Sequence, residues 1–214
     1  MSFRTEAQAP MAIPRTDAGE ACAHDWPARW TPAALTVAWM VLVALAVVGR
    51  LHQPSWGGEP MWNFTPLGAV ALAAGAIFPR RWLAASVPVA ALAISNLELP
   101  AYKNPGMAVV VFLATAWPVL LGGLVRSGRW AAILGGALAN SLVFFFSTNL
   151  AFWWFTDVYP HSADGLVKCF VAALPFYRWL PVGDVVWSLG IFGILKMSTA
   201  ATPAAAALTG RPTD

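Results

Sequence analysis

The chain is 214 residues long, 58% hydrophobic and 11% charged, whereas a water-soluble domain carries about 25% charged residues. That deficit excludes an ordinary soluble enzyme and leaves lipid as the solvent. The net charge of +3, from 13 Lys+Arg against 10 Asp+Glu, comes without a basic patch interleaved with stacking aromatics, which excludes nucleic acid as a partner.

A charge at the bilayer centre costs about 2.5–3.5 kcal/mol on insertion scales, so the charge-free gaps mark the membrane segments. The leader 1–29 holds mixed charges and no helical apolar face, and reads as a disordered cytoplasmic tail. Ala33 to Gly49 forms a first helix, entered through Trp30 and Pro32. A second, short for a full span, runs from Pro66 to Phe78 and stops at Arg80 and Arg81. Trp82 to Leu97 is a third, containing Pro88, and Glu98 to Gly106 is a loop. Met107 to Val125 is a fourth, interrupted by Pro118, and a tight connection follows from Arg126 to Arg129. The fifth, Trp130 to Asn149, leads into an aromatic stretch and a polar loop. Ser162 caps a sixth, with Asp164 in its first turn, running to about Trp179. Pro181 and Gly183 turn the chain into a shorter seventh, Val185 to Met197, and 198–214 reads as a flexible tail.

The expected fold is therefore all-α, a polytopic transmembrane bundle of six or seven helices over residues 30–197. Arg80 with Arg81 and Arg126 with Arg129 fall on one side, the cytoplasmic side by the positive-inside rule. That reading puts Arg29 and Arg178 inside and Arg50, Lys103, Lys168 and Lys196 at outer ends. The setting is a bacterial inner membrane with the amino terminus in the cytoplasm. Trp30, Trp62, Trp82, Trp130, Trp153, Trp154 and Trp179 sit at segment ends, as interfacial anchors do.

The outer loops hold the chemistry. Asn149, Trp153, Trp154, Asp157, Tyr159, His161 and Asp164 combine apolar platforms with polar groups, as a small-molecule pocket requires. The same aromatics also fit an interfacial belt. Asn63 and Thr65 either cap the second helix or face a substrate, as residues at short helices do in transporters. Asn96 and Glu98 pose the same choice at the end of the third segment. Small residues at helical spacing, Ala69 with Ala73 and Ala71 with Gly75, serve either internal packing or docking of a partner.

Cys22 and Cys169 are far apart in sequence and form neither a disulfide framework nor a zinc site. No G-x-S-x-G, H-E-x-x-H, P-loop or C-x-x-C motif occurs, so no catalytic residue, metal or cofactor is expected and the chain does not read as an enzyme. His161 acting as a base with Asp157 or Asp164 would still need a nucleophile or metal.

The runs N-F-T-P-L-G-A-V-A-L-A-A-G-A-I-F from Asn63, S-N-L-E-L from Ser95, S-T-N-L-A-F-W-W from Ser147 and Y-P-H-S-A-D-G-L-V-K-C-F from Tyr159 resemble a bacterial family of uncharacterised small integral membrane proteins. The resemblance covers about Met61 to Leu195. The helix pattern of that family is similar to the substrate-binding S components of energy-coupling-factor vitamin transporters. That likeness implies about six helices, a pocket near the outer face lined by the loop residues above, and a small-residue surface over Ala69 to Gly75. Such a surface would dock a transmembrane coupling subunit linked to ATPases. The functional expectation is a small solute bound from the outer face for uptake; the alternative is a structural or assembly subunit with no ligand of its own.

Overall fold

A computed structural model describes residues 30–99 and 102–209, with side chains as far as 198. The expected tail 1–29, with Cys22 and Arg29, lies outside the described residues. Helix α1 spans Pro32–Leu51. Thr31 starts it, its hydroxyl accepting from the Ala34 N–H at 3.2 Å, and Pro32 fills the first turn, where a missing N–H costs nothing. A two-residue hairpin follows, β1 (Ser55–Trp56) pairing antiparallel with β2 (Glu59–Pro60). Its turn places Gly57 and Gly58 at φ 61° and 84°, values that favour glycine.

Helix α2, Leu67–Ile77, is the centre of the molecule. It is enclosed by α1 and by the later helices α3 (Arg81–Ser95), α4 (Pro105–Ala116), α5 (Gly122–Val125), α6 (Trp130–Phe155) and α8 (Trp179–Thr209). All of its residues except Gly68 are buried. Eleven residues rise about 16 Å, half the hydrocarbon thickness of about 30 Å. A segment of Ala, Gly, Val, Leu and Ile with no charge can be hidden on every side, because it has no polar face to keep wet.

The enclosure overturns the docking expectation for Ala69, Ala71, Ala73 and Gly75. The three alanines are 1%, 0% and 0% exposed, and Gly75 is buried as well. Their smallness serves internal packing. A Cβ on Gly75 would lie 2.4 Å from the Val119 carbonyl oxygen, and one on Gly122 would lie 2.0 Å from the Gly75 oxygen. The two backbones touch because neither residue has a side chain.

Helix α4 opens under Asn104, whose side-chain oxygen accepts from the Gly106 and Met107 N–H groups at 2.8 and 3.4 Å. Pro118 turns its continuation into a 3-10 segment, Trp117–Leu121, before α5. Helix α6 is longer than sequence predicts. It runs to Phe155 rather than Asn149, because Phe152, Trp153, Trp154 and Phe155 continue the helical face instead of opening a loop.

Helix α7, Ala163–Tyr177, starts under the Ser162 hydroxyl, which accepts from the Gly165 N–H at 3.2 Å. Only Arg178 separates it from α8, with Pro175 and Pro181 on either side. Contacts along α6 show one direction of travel: Cys169 against Asn149, Tyr177 against Phe145, Asp184 against Ser141, and Lys196 over the Trp130 ring. The sixth and seventh segments are thus two halves of one broken arm antiparallel to α6, its break set by the prolines. This corrects the expected turn at Pro181 and the expected sides of two charges. Arg178 sits at the break, over the Trp179 ring, and Lys196 lies at the Trp130 end. The helix also continues past Ser198 to Thr209, where composition predicts a flexible tail.

Four helical segments are long and apolar enough to cross a bilayer: Pro32–Leu51, Pro105–Val125, Trp130–Phe155 and Trp179–Ser198. Their outward faces carry Val37, Val41 and Val48, Val109, Leu113 and Leu120, Leu138, Leu142 and Phe146, and Val182, Val186 and Leu189, all exposed. Apolar stripes at helical spacing on the outside of a bundle belong to a protein whose solvent is lipid. This is an all-α membrane protein.

Candidate functional site

One end of the bundle gathers the loop residues 52–66, 96–99, 102–104 and 156–162, and beneath it lies a cavity of about 360 Å³. That falls within the range of small-molecule sites, about 300–1,000 Å³. Its walls come from α1, the start of α2, α3, α4, α6, α7 and α8, together with the loops after α1 and before α4. Leu67, Leu92, Val111, Phe144, Phe145 and Phe176 supply apolar wall. Along α6 the lining runs from Asn149 to Asn140, about 14 Å of helix.

At one side stands Arg50, in the last turn of α1, where a cation complements the helix dipole. Its Nη1 donates to Ser95 Oγ at 2.6 Å and to Asn96 Oδ1 at 2.7 Å. Ser95 Oγ passes the contact on by donating to the Ala91 carbonyl at 2.8 Å. Tyr102 lies beside the guanidinium. Burial pushes its phenol up, the Arg50 charge opposing, so the hydroxyl stays protonated at neutral pH. No carboxylate among the described residues pairs with Arg50.

At the other side, Asp184 of α8 is 2% exposed. Its Oδ2 accepts from Asn140 Nδ2 at 2.8 Å and from Ser141 Oγ at 2.7 Å, both on α6. The carboxylate fixes which way the Asn140 amide faces, since its NH₂ must donate, and Asn140 Oδ1 is left buried without a partner. Gly68, at the start of α2, makes room for this pair. A Cβ there would lie 2.1 Å from Asn140 Nδ2 and 2.4 Å from Asp184 Oδ1. No basic side chain among the described residues pairs with Asp184.

The sequence profile of the family of unknown function DUF6580 matches residues 30–205. The chain belongs to this family. No curated protein and no solved structure matches it. The matched segment contains every wall of the cavity.

Three of the residues singled out from sequence line the cavity: Asn63, Thr65 and Asn149. Asn63 and Thr65 do not cap α2, whose start is Pro66 with no side-chain cap. Asn63 takes φ 65°, a left-handed value that asparagine tolerates, and this turns the chain into the helix at mid-bundle. Asn149 donates its Nδ2 to the Phe145 carbonyl at 2.7 Å. Asn96 stands behind Arg50 and orients it without lining the space.

The remaining candidates lie outside. Glu98 and Asp157 are exposed, and Asp164 pairs with Lys168 at 2.6 Å on the surface. Trp153, Trp154, Tyr159 and His161 form a clasp over the α6–α7 turn. Trp153 Nε1 donates to the Pro160 carbonyl at 2.9 Å, His161 Nε2 meets the Trp153 carbonyl at 2.9 Å, the His161 ring stacks on Trp154, and Tyr159 packs edge-on against Phe152. This clasp holds the turn and brings His161 to neither Asp157 nor Asp164.

Sequence reasoning passed over Arg50, Tyr102, Thr115, Asn140, Tyr177 and Asp184, all of which line the cavity. The signal for two of them was present. Asn140 is an amide near the middle of the longest candidate membrane span, and Asp184 is a carboxylate inside an apolar run. Polar groups at such depth are costly and mark functional sites.

Proposed function

We propose that this chain is a multi-pass inner-membrane protein that binds a small polar solute in the cavity between Arg50 and Asp184, as the substrate-binding component of an uptake system. The observation that carries the reading is the contrast between an apolar exterior and a cavity holding an arginine, an aspartate and unsatisfied amides. Such groups cost stability in a bundle that has only packing to do.

Six crossings follow if α1, α2, α3, the α4–α5 segment, α6 and the α7–α8 arm each traverse the membrane. The arm supports this count, since its contacts progress along the whole of α6. Both described ends then lie with Arg80, Arg81, Arg126 and Arg129, on the cytoplasmic side by charge, and the cavity faces outward. Six helices, an outward pocket and no nucleotide motif agree with the likeness to S components, with a separate coupling subunit and ATPases supplying energy. Because α2 is enclosed, such a subunit would have to use the outer faces of the bundle.

The test is solute-dependent thermal stability of the purified full-length chain in mild detergent, against vitamins, cofactors, amino acids and small peptides. A saturable rise that disappears in Thr148→Trp, which fills the cavity, is the expected result. An unchanged midpoint with every solute, and no membrane subunit copurifying, would leave the alternative of a structural subunit.

A further inference from the structure

We infer that the solute is a zwitterion, with an anionic group, a carboxylate or phosphate, directed to Arg50 and an ammonium directed to Asp184. The inference rests on the solute-binding reading and adds to it the chemical class of the ligand.

Arg50 and Asp184 both line the cavity, one basic and one acidic, and make no ion pair with each other or with any described residue. They stand on α1 and α8, helices that do not touch, with the start of α2 between them. Each is held in place by neutral groups alone: Arg50 by Ser95 Oγ and Asn96 Oδ1, Asp184 by Asn140 Nδ2 and Ser141 Oγ. Neutral dipoles orient a charge without cancelling it, so each stays ready for a counter-charge.

The hydrogen-bonding pattern sharpens the assignment. Both donors to Asp184 go to Oδ2, while Oδ1 faces Gly68, the one half-buried residue of α2. Asn140 adds a second acceptor, its unpartnered Oδ1. Asn140 Oδ1 and Asp184 Oδ1 are both acceptors that neither of these donors occupies, which suits an ammonium with its three N–H groups. On the Arg50 side the guanidinium spends Nη1 on Ser95 and Asn96 and has the neutral Tyr102 hydroxyl beside it, and its five N–H donors in a planar fork match a planar or tetrahedral anion. A ligand bearing one charge would leave the opposite wall buried and unpaired.

The purified full-length chain in detergent would be titrated with ω-amino acids of increasing chain length, and with matched monocarboxylates, primary amines, N-acetyl derivatives and methyl esters. The expected result is a saturable shift with the ω-amino acids that peaks at one length, and affinity about thirtyfold lower or worse when either charge is removed from the probe. Arg50→Gln should abolish discrimination against methyl esters, and Asp184→Asn discrimination against N-acetyl derivatives. Because the probes vary on the wild-type chain, the result stands even where a variant fails to fold. Monocarboxylates or amines binding as well as the ω-amino acids would overturn the zwitterion. A solute from the broad panel that binds without carrying both charges would overturn it while leaving the binding function intact. Silence from every probe and every panel member would overturn both.

Discussion

The two ends of α2 are built on opposite principles. At its carboxyl end one side chain takes three carbonyls: the Arg126 guanidinium donates from Nε to the Ala76 oxygen at 3.1 Å and from Nη2 to the Phe78 and Gly75 oxygens at 3.1 and 3.4 Å. Gly75 and Gly122 meet there backbone to backbone. At its amino end no side chain caps the helix, Asn63 and Thr65 turn to the cavity, and Gly68 leaves room for a carboxylate that has no counter-ion. One end is closed and holds the bundle together, whereas the other opens onto the cavity. The same arginine that marks the cytoplasmic side in sequence is thus a helix cap, satisfying acceptors that lipid could not.

The contrast predicts that substitutions at the closed end cost stability and those at the open end cost binding. Gly122→Val should have the largest effect. Its Cβ would meet Gly75 backbone, which cannot yield as a side chain can, so a loss above about 3 kcal/mol and no monodisperse peak on size exclusion are expected. A stable Gly122→Val protein would break the claim that the backbones touch. Arg126→Ala should lower stability by about 2 kcal/mol, the worth of its charge-assisted hydrogen bonds, measured as the unfolding midpoint in detergent. Arg126→Lys should recover part of it, because an ammonium reaches fewer of the three carbonyls.

Gly68→Ala should cost less stability, about 1–2 kcal/mol, because Asn140 and Asp184 can swing aside, yet remove solute-dependent stabilisation. For Asp184→Asn the sign should reverse: the empty protein keeps its midpoint or gains up to about 1 kcal/mol, since a buried unpaired charge is removed, while affinity falls. A strongly destabilised Asp184→Asn would make the carboxylate structural and sink the comparison. The smallest effect belongs to His161→Ala, at the exposed clasp, where the solute response should be unchanged and stability should move by about 0.5 kcal/mol or less.

Much of the fold was legible in sequence because charges are excluded from lipid so sharply that the gaps between them locate helices. The stop at Arg80 and Arg81 and the Ser162 cap follow from that rule and from capping chemistry, whereas α2 starts at Pro66 without the side-chain cap that Asn63 or Thr65 offered. The end of the chain misled. Reading Pro181 and Gly183 as a turn split one arm into two segments and passed over Asp184 between them. The aromatic loop drew attention for a related reason: Trp153, Trp154 and His161 are dense in sequence, but the hydrogen bonds they make are to their own turn. Arg50, Asn140 and Asp184 are separated by scores of residues, and no local pattern joins them.

Sequence by itself determined that the chain is helical and lives in lipid, because composition and charge spacing register a solvent that acts on each residue separately. Tertiary structure alone decided that α2 is enclosed, that α7 and α8 form one broken arm, and that Arg50 and Asp184 share a cavity. Those outcomes depend on which faces meet across distant stretches of chain, where a glycine with no Cβ or a proline with no N–H sets the distance between helices.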